Sequence, residues 1–211
     1  MSDLVVLEGI DGSGKETQTK KIVSRLRKEG ETVNTMSFPT YDGVFSKPVE
    51  HLLSGAKGLS QRQKAVLFGV DRLGAKEELE ALLEQGVVVC DRYVTANKGY
   101  QGVGIDNKKE FYEWLDSFEY DVLGLPREKG TIFLDLPVDI AIHNMTDKKK
   151  DSYERNTTFL KEVRKEFKDL AEREDWHIIH CWDSSKGMRS IEDIHEDVYD
   201  ACKLILNSDI E

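Results

Sequence analysis

The sequence predicts an α/β fold: a five-stranded parallel sheet between two layers of helices, with a small mobile lid. Three observations carry that expectation. Short β-rich runs alternate with helix-patterned stretches along the 211 residues, the pattern of a parallel sheet wound with crossover helices. The run Val87–Cys90 is an unbroken apolar stretch rich in β-branching, as a strand covered on both faces requires. A glycine-rich turn joins the first strand directly to the first helix.

Taken in order, Leu4–Leu7 reads as a buried strand. Gly14–Lys28 reads as a helix with Ile22, Val23 and Leu26 on one face. Thr32–Phe38 is a second strand. After a loop around Pro39, Pro48–Leu53 makes a short helix ending at Gly55. Ser60–Leu83 reads as one long helix stopped by Gly86. Strands follow at Val87–Cys90, Thr131–Leu134 and His177–His180, with helices at Thr158–Ala171 and Ile191–Leu206. No repeat or linker divides the chain, so residues 1–211 are expected to form a single domain with a lid segment at about 144–156. In such sheets ligands bind at the carboxyl ends of the strands.

Composition narrows the function. A net charge of −10 and a pI near 5.1 argue against a nucleic-acid polymer as partner, which calls for a basic face. No apolar run approaches the roughly 20 residues that span a bilayer. Met1-Ser2-Asp3 leaves little room for a signal peptide before the first strand. A cytoplasmic protein without membrane contact is expected. Cys90, Cys181 and Cys202 are scattered and odd in number, which suits buried thiols in a reducing compartment.

The chemistry begins at the first strand end. Gly9-Ile10-Asp11-Gly12-Ser13-Gly14-Lys15 has the spacing of a P-loop, set between strand and helix as that motif requires. Glycines let consecutive N–H groups turn toward phosphate oxygens, the helix start adds positive potential, and Lys15 adds a full charge. ATP binding is therefore expected at Gly9, Asp11, Gly12, Ser13, Gly14, Lys15, Glu16 and Thr17. Glu16 stands where a Ser or Thr usually serves magnesium. Either it faces away and Thr17 or Asp11 serves the metal, or it binds Mg²⁺ through water. Val87–Cys90 runs into Asp91-Arg92-Tyr93. Arg92 has the geometry to grip a phosphate, and Asp91 that to hold a sugar hydroxyl or metal-bound water. The competing reading is a plain Asp91–Arg92 ion pair at a strand end.

Over nearly its whole length the chain resembles the thymidylate kinases. The resemblance rests on five segments in that family's order: Glu8–Gln18 with its P-loop, Phe38-Pro39-x-Tyr41, Leu67-Phe68-x-x-Asp71-Arg72, Asp91-Arg92-Tyr93-Val94-x-x-Asn97-x-x-Tyr100-Gln101, and Asp151-x-Tyr153-Glu154-Arg155. It implies phosphoryl transfer from ATP to dTMP with Mg²⁺ as cofactor, carried out by Lys15, Asp11, Asp91 and Arg92, with Asp11 as the metal candidate. It implies that dTMP meets Asp11, Tyr41, Phe68, Arg72, Arg92, Asn97, Tyr100 and Gln101. Phe68 would stack on thymine, Arg72 would donate to a base carbonyl one helical turn later, and Tyr100 would press on the sugar carbon that lacks a hydroxyl. It also implies a homodimer packed through helices, for which the long helix or Phe111–Phe118 could serve.

Some positions depart from the family pattern. Thr40 replaces a frequent arginine, leaving Lys47 or another cation to compensate, and Ala96 and Gly99 replace a serine and an alanine. Ser152 stands at a common lid arginine, so Lys148, Lys149, Lys150 and Arg155 are the candidate lid cations. The rival readings are a kinase of dUMP, of mixed monophosphates or of a deoxynucleoside, and a catalytically silent nucleotide-binding module.

Overall fold

A computed structural model describes residues 3–41, 43–55, 58–145, 157–185 and 187–208. Five parallel strands form the sheet: β1 (Leu4–Glu8), β2 (Val33–Ser37), β3 (Val87–Asp91), β4 (Gly130–Asp135) and β5 (His177–His180), in the order β2-β3-β1-β4-β5. β1 is central, with Leu7 opposite Asp91 of β3 and Glu8 opposite Phe133 of β4. That register brings the phosphate-loop turn and the Asp91-Arg92 turn out at the same edge.

Alternation along the strands divides the core. Val5 and Leu7 pack with Val89 and with Ile22 and Leu26 of α1 (Lys15–Lys28), while Leu4 and Val6 pack with Val88, Cys90 and Leu79 of the opposite layer. Successive strand side chains point to opposite faces, so these all-buried strands feed both layers at once. Cys90, Cys181 and Cys202 are buried free thiols.

The expected long helix is two helices. α3 (Gln61–Gly74) stops at Ala75, which leaves helical geometry at φ −105° and ψ 5°, and α4 (Lys76–Gln85) restarts with Glu77 and Glu78 in its first turn. Acids there complement the new N-terminus. At Gly74 a Cβ would lie 2.9 Å from the Phe45 ring, so the missing side chain lets the loop before α2 (Ser46–Leu53) pack at the break. The helical period runs through the junction unbroken, so periodicity alone does not reveal it. Ser60 and Gln63 close a capping box at the start of α3.

α5 (Val94–Gln101) follows β3, and α6 (Lys108–Asp116) runs into a π-helical turn, Ser117–Val122. α7 (Val138–Asn144) follows β4, and α8 (Thr157–Arg173) precedes β5. A two-stranded hairpin, β6 (Trp182–Asp183) with β7 (Gly187–Met188), occupies the polar stretch before α9 (Ile191–Asn207). Phe111, Tyr112 and Leu115 of α6 turn into the core, while Trp114 and Phe118, stacked at 5.7 Å, are half-buried. Tyr100, Phe133, Phe167 and Trp176 form an aromatic cluster around the fully buried Phe167.

Glu8 ties this sheet edge together from beneath. It is fully buried at the end of β1, and its Oε1 accepts from the Tyr93 amide at 3.2 Å and the Thr95 hydroxyl at 2.7 Å. Burial pushes its carboxyl up to about 7, against the opposing pull of the Thr95 hydroxyl, Arg92 and Lys15.

Two outcomes are expected. Phe167→Ala should cost about 3–5 kcal/mol in a urea titration, the range for emptying an aromatic core site. Because Glu8 holds its proton more tightly folded than unfolded, its contribution to stability is full below about pH 4.5 and is lost as pH rises to about 7. Glu8→Gln should remove that part of the pH dependence, seen in the difference between wild-type and variant urea midpoints across the same range.

Candidate active site

β1 delivers the chain into a turn where Gly12 and Gly14 adopt φ +80° and +95°, a region open to glycine at little cost. A Cβ on Gly12 would fall 2.1 Å from the Ala141 carbonyl oxygen of α7. Gly14 is the N-cap of α1 and no side chain caps the helix, so its first-turn N–H groups keep their capacity for an anion. The Lys15 ammonium donates to the Gly9 and Ile10 carbonyl oxygens at 2.9 and 3.1 Å and lies 4.0 Å from Asp11. Burial, then the nearby Arg92, lowers its pKa, while Asp91, Asp11 and Glu8 oppose the shift.

Across the gap Arg92 leaves β3 with φ +69°, its amide donating to the Leu7 carbonyl oxygen at 3.0 Å. Its guanidinium is paired with Asp11, not with Asp91 as the simple strand-end reading has it, and lies 5.0 Å from the centre of the Tyr100 ring. The Tyr100 hydroxyl donates to the second Asp11 oxygen at 3.4 Å. Burial disfavours the charged Asp11, but Arg92 and Lys15 outweigh it and hold the carboxyl below its ordinary range. The Asp91 carboxylate makes no hydrogen bond or ion pair among the described residues, while its backbone carbonyl oxygen accepts from the Phe38 amide at 3.1 Å. Glu16 pairs at 2.6 Å with Lys20, one turn along the exposed side of α1.

These groups open into one cleft of about 1030 Å³. From the phosphate loop it is lined by Asp11 through Thr17, and from the β3 edge by Asp91 and Arg92. Its far wall carries Phe68 and Arg72 of α3 with Asn97, Tyr100 and Gln101 of α5. Tyr41 stands at the mouth, 68% exposed. Of the expected site residues that are described, only Gly9 does not line the cleft; it supplies a carbonyl to Lys15. Lys148, Lys149, Lys150, Ser152 and Arg155 lie outside the described residues. Lys47 is exposed on α2 and does not line the cleft, so it does not compensate for Thr40. Thr40 instead donates from its amide and hydroxyl to Asp71 at 2.9 and 2.6 Å, fastening the loop to α3.

Sequence reasoning missed two carboxylates. Glu8 lies beneath the Arg92 turn, as described. Glu119, fully buried in the π-helical turn, accepts from Arg72 Nε and Nη2 at 2.6 Å each and from Asn97 Nδ2 at 2.7 Å. The Asn97 amide also donates to the Ala65 carbonyl oxygen at 3.0 Å. The available signal for Glu119 was an acid among aromatic residues in Trp114–Val122. After β5 the β6–β7 hairpin reaches the same cleft, which Met188 lines together with Asn144 and Ile191.

Comparison with known proteins gives the family. A family model described as thymidylate kinase matches residues 7–198. The chain is 30% identical to the probable thymidylate kinase of Methanocaldococcus jannaschii, over 92% of each protein. It is 28% identical to the thymidylate kinase of Mycobacterium tuberculosis over 80% of this chain and 85% of that one, and 27% identical to that of Danio rerio over 97% and 91%. With the phosphate loop, the Arg92 turn and the α3–α5 wall meeting in one cleft, and the family match spanning residues 7–198, this protein belongs to the thymidylate kinase family.

Proposed function

We propose that the chain transfers the γ-phosphoryl group of ATP to dTMP, giving ADP and dTDP for dTTP synthesis. One observation carries the reading: a single cleft joins a phosphate loop to a wall bearing an aromatic ring, an arginine and two amides. That arrangement suits two nucleotides meeting phosphate to phosphate.

In this reading the first-turn amides of α1 and Lys15 hold the donor phosphates, and Arg92 holds the acceptor phosphate. An oxygen of dTMP attacks the γ-phosphorus in line as the bond to ADP breaks. That oxygen is already anionic, so the site needs no strong base, and catalysis consists of alignment and charge neutralisation. Arg92 exchanges Asp11 for the substrate phosphate. Phe68 stacks on the base, Arg72, Asn97 and Gln101 address its edge, and Tyr100 packs by the sugar, with Tyr41 closing the mouth. Cations among Lys148–Lys150 and Arg155 complete the cage.

Magnesium would supply charge neutralisation at the phosphates. It keeps several waters and uses one or two carboxylates, and Asp91 fits that need because its carboxylate is uncommitted among the described residues. Asp11, the expected ligand, is held by Arg92 and would join only once Arg92 turns to phosphate. Among the described residues there is no cluster of three or more His, Cys, Asp or Glu that could hold a metal ion. No described helix is long and apolar enough to cross a membrane. We propose a cytoplasmic homodimer, for which Leu73, 37% exposed at the end of α3, offers apolar surface.

Purified protein with Mg²⁺ and ATP should release ADP fastest with dTMP in a panel including dUMP, dCMP and thymidine. Equal release with every acceptor, or with none, would overturn the assignment. Lys15→Ala and Arg92→Ala should each lower turnover at least about a hundredfold, the scale for losing one preorganised charge contact; near-normal rates in either would mean that the roles are misplaced.

A further inference from the structure

We infer that Glu119, which does not line the cleft, is a specificity-determining positioning residue: it sets the hydrogen-bond polarity of the base-side wall and so selects a 4-oxo over a 4-amino pyrimidine. The inference rests on the proposed dTMP kinase reading.

Its basis is the direction of each hydrogen bond around one carboxylate. Two oxygens of Glu119 take Nε and Nη2 of Arg72 side by side, a forked arrangement that fixes the plane of the guanidinium. The third arm, Nη1, reaches only the Tyr93 carbonyl oxygen, at a long 3.4 Å. Arg72 therefore presents N–H groups to the cleft in a set orientation, and a guanidinium has no acceptor to offer.

The same carboxylate fixes the Asn97 amide. Both neighbours of its Nδ2, Glu119 Oε1 and the Ala65 carbonyl oxygen, are acceptors. Turning the amide over would place Oδ1 against both, losing two hydrogen bonds and setting oxygen against oxygen. Asn97 is thus held with Oδ1 directed away from Glu119, and that oxygen is buried without a hydrogen-bond partner, as is Gln101 Oε1. Buried acceptors call for a donor, and both residues line the cleft.

The wall then offers donors at Arg72 and acceptors at the amides. A 4-oxo pyrimidine presents the complement, a carbonyl oxygen beside an N3–H. A 4-amino pyrimidine presents an amino group beside a bare N3, and so meets donor with donor and acceptor with acceptor. Sites built on hydrogen bonds reject such mismatches strongly because their buried groups are left unpaired. Without Glu119 Arg72 is free to swing and the amide to flip, and the wall loses its polarity while the phosphate machinery is untouched.

The experiment compares steady-state kinetics of wild type and Glu119→Gln with dTMP and dCMP, with folding checked by a cooperative thermal transition. We expect the ratio of kcat/KM for dTMP over dCMP to fall at least about tenfold, mainly through KM for dTMP. A purely structural role lowers both substrates together, so an unchanged ratio in the folded variant overturns the inference. If Glu119→Gln fails to fold, Glu119→Asp, which keeps the charge but withdraws it from Asn97, is held to the same criterion. The wild-type enzyme supplies an arm that needs no variant: dTMP methylated at N3 should raise KM at least about tenfold, and acceptance equal to dTMP sinks the acceptor assignment on which the inference stands. Wild-type turnover of dTMP itself tests the proposed reaction, so failure of that reading is seen separately.

Discussion

The parallel pairing of β1 with β3 is the constraint on which the site depends. With Leu7 opposite Asp91, the turn after each strand emerges at the same level, one carrying Lys15 and the other Arg92. Neither turn has the composition of a rigid element, and both are held by what lies beneath. The Arg92 amide bonds to Leu7, and Glu8 holds the next amide along. The positive φ of Arg92 is kept in place by these contacts, and strain of that kind persists only where the surroundings over-determine it.

Charge in the cleft is organised in opposing sets. Asp11 sits between Lys15 and Arg92, so the two cations that would otherwise repel share one counter-charge at the phosphate end. Glu119 serves Arg72 in the same manner at the α3–α5 wall. A chain with net charge −10 can therefore concentrate positive groups in a cleft without leaving any of these buried cations unpaired, which would be costly. The asymmetry lies in exposure: Asp11 is 28% exposed and Glu119 is fully buried. In the proposed reading the exposed counter-ion is the one exchanged for phosphate, and the buried one stays.

Much of the fold was legible because its signals are local. The β-branched run at Val87–Cys90 and the glycine spacing before Lys15 each determine their element from a few adjacent residues. The break at Gly74–Ala75 was not legible: the helical period continues through it, and the residue packed against Gly74 there, Phe45, is distant in sequence. The segments that line the cleft were legible for the same reason as the strands, since each carries a short local motif. Glu8 was quoted only as part of a motif, and Glu119 is invisible to spacing arguments because its partners, Arg72 and Asn97, come from two other helices. Carboxylates that act through other side chains carry no periodicity of their own.

The bonds from Lys15 to Gly9 and Ile10 bear on how this loop discriminates. Its ammonium already has two uncharged acceptors, so a newcomer gains only the difference between their attraction and its own. Hydrogen bonds to ionised oxygens are roughly twice as strong as those between neutral groups, which makes the trade favourable for polyphosphates and almost indifferent for uncharged molecules of similar outline. In the proposed reading the loop would act as a charge filter, with its threshold set by its own carbonyl oxygens.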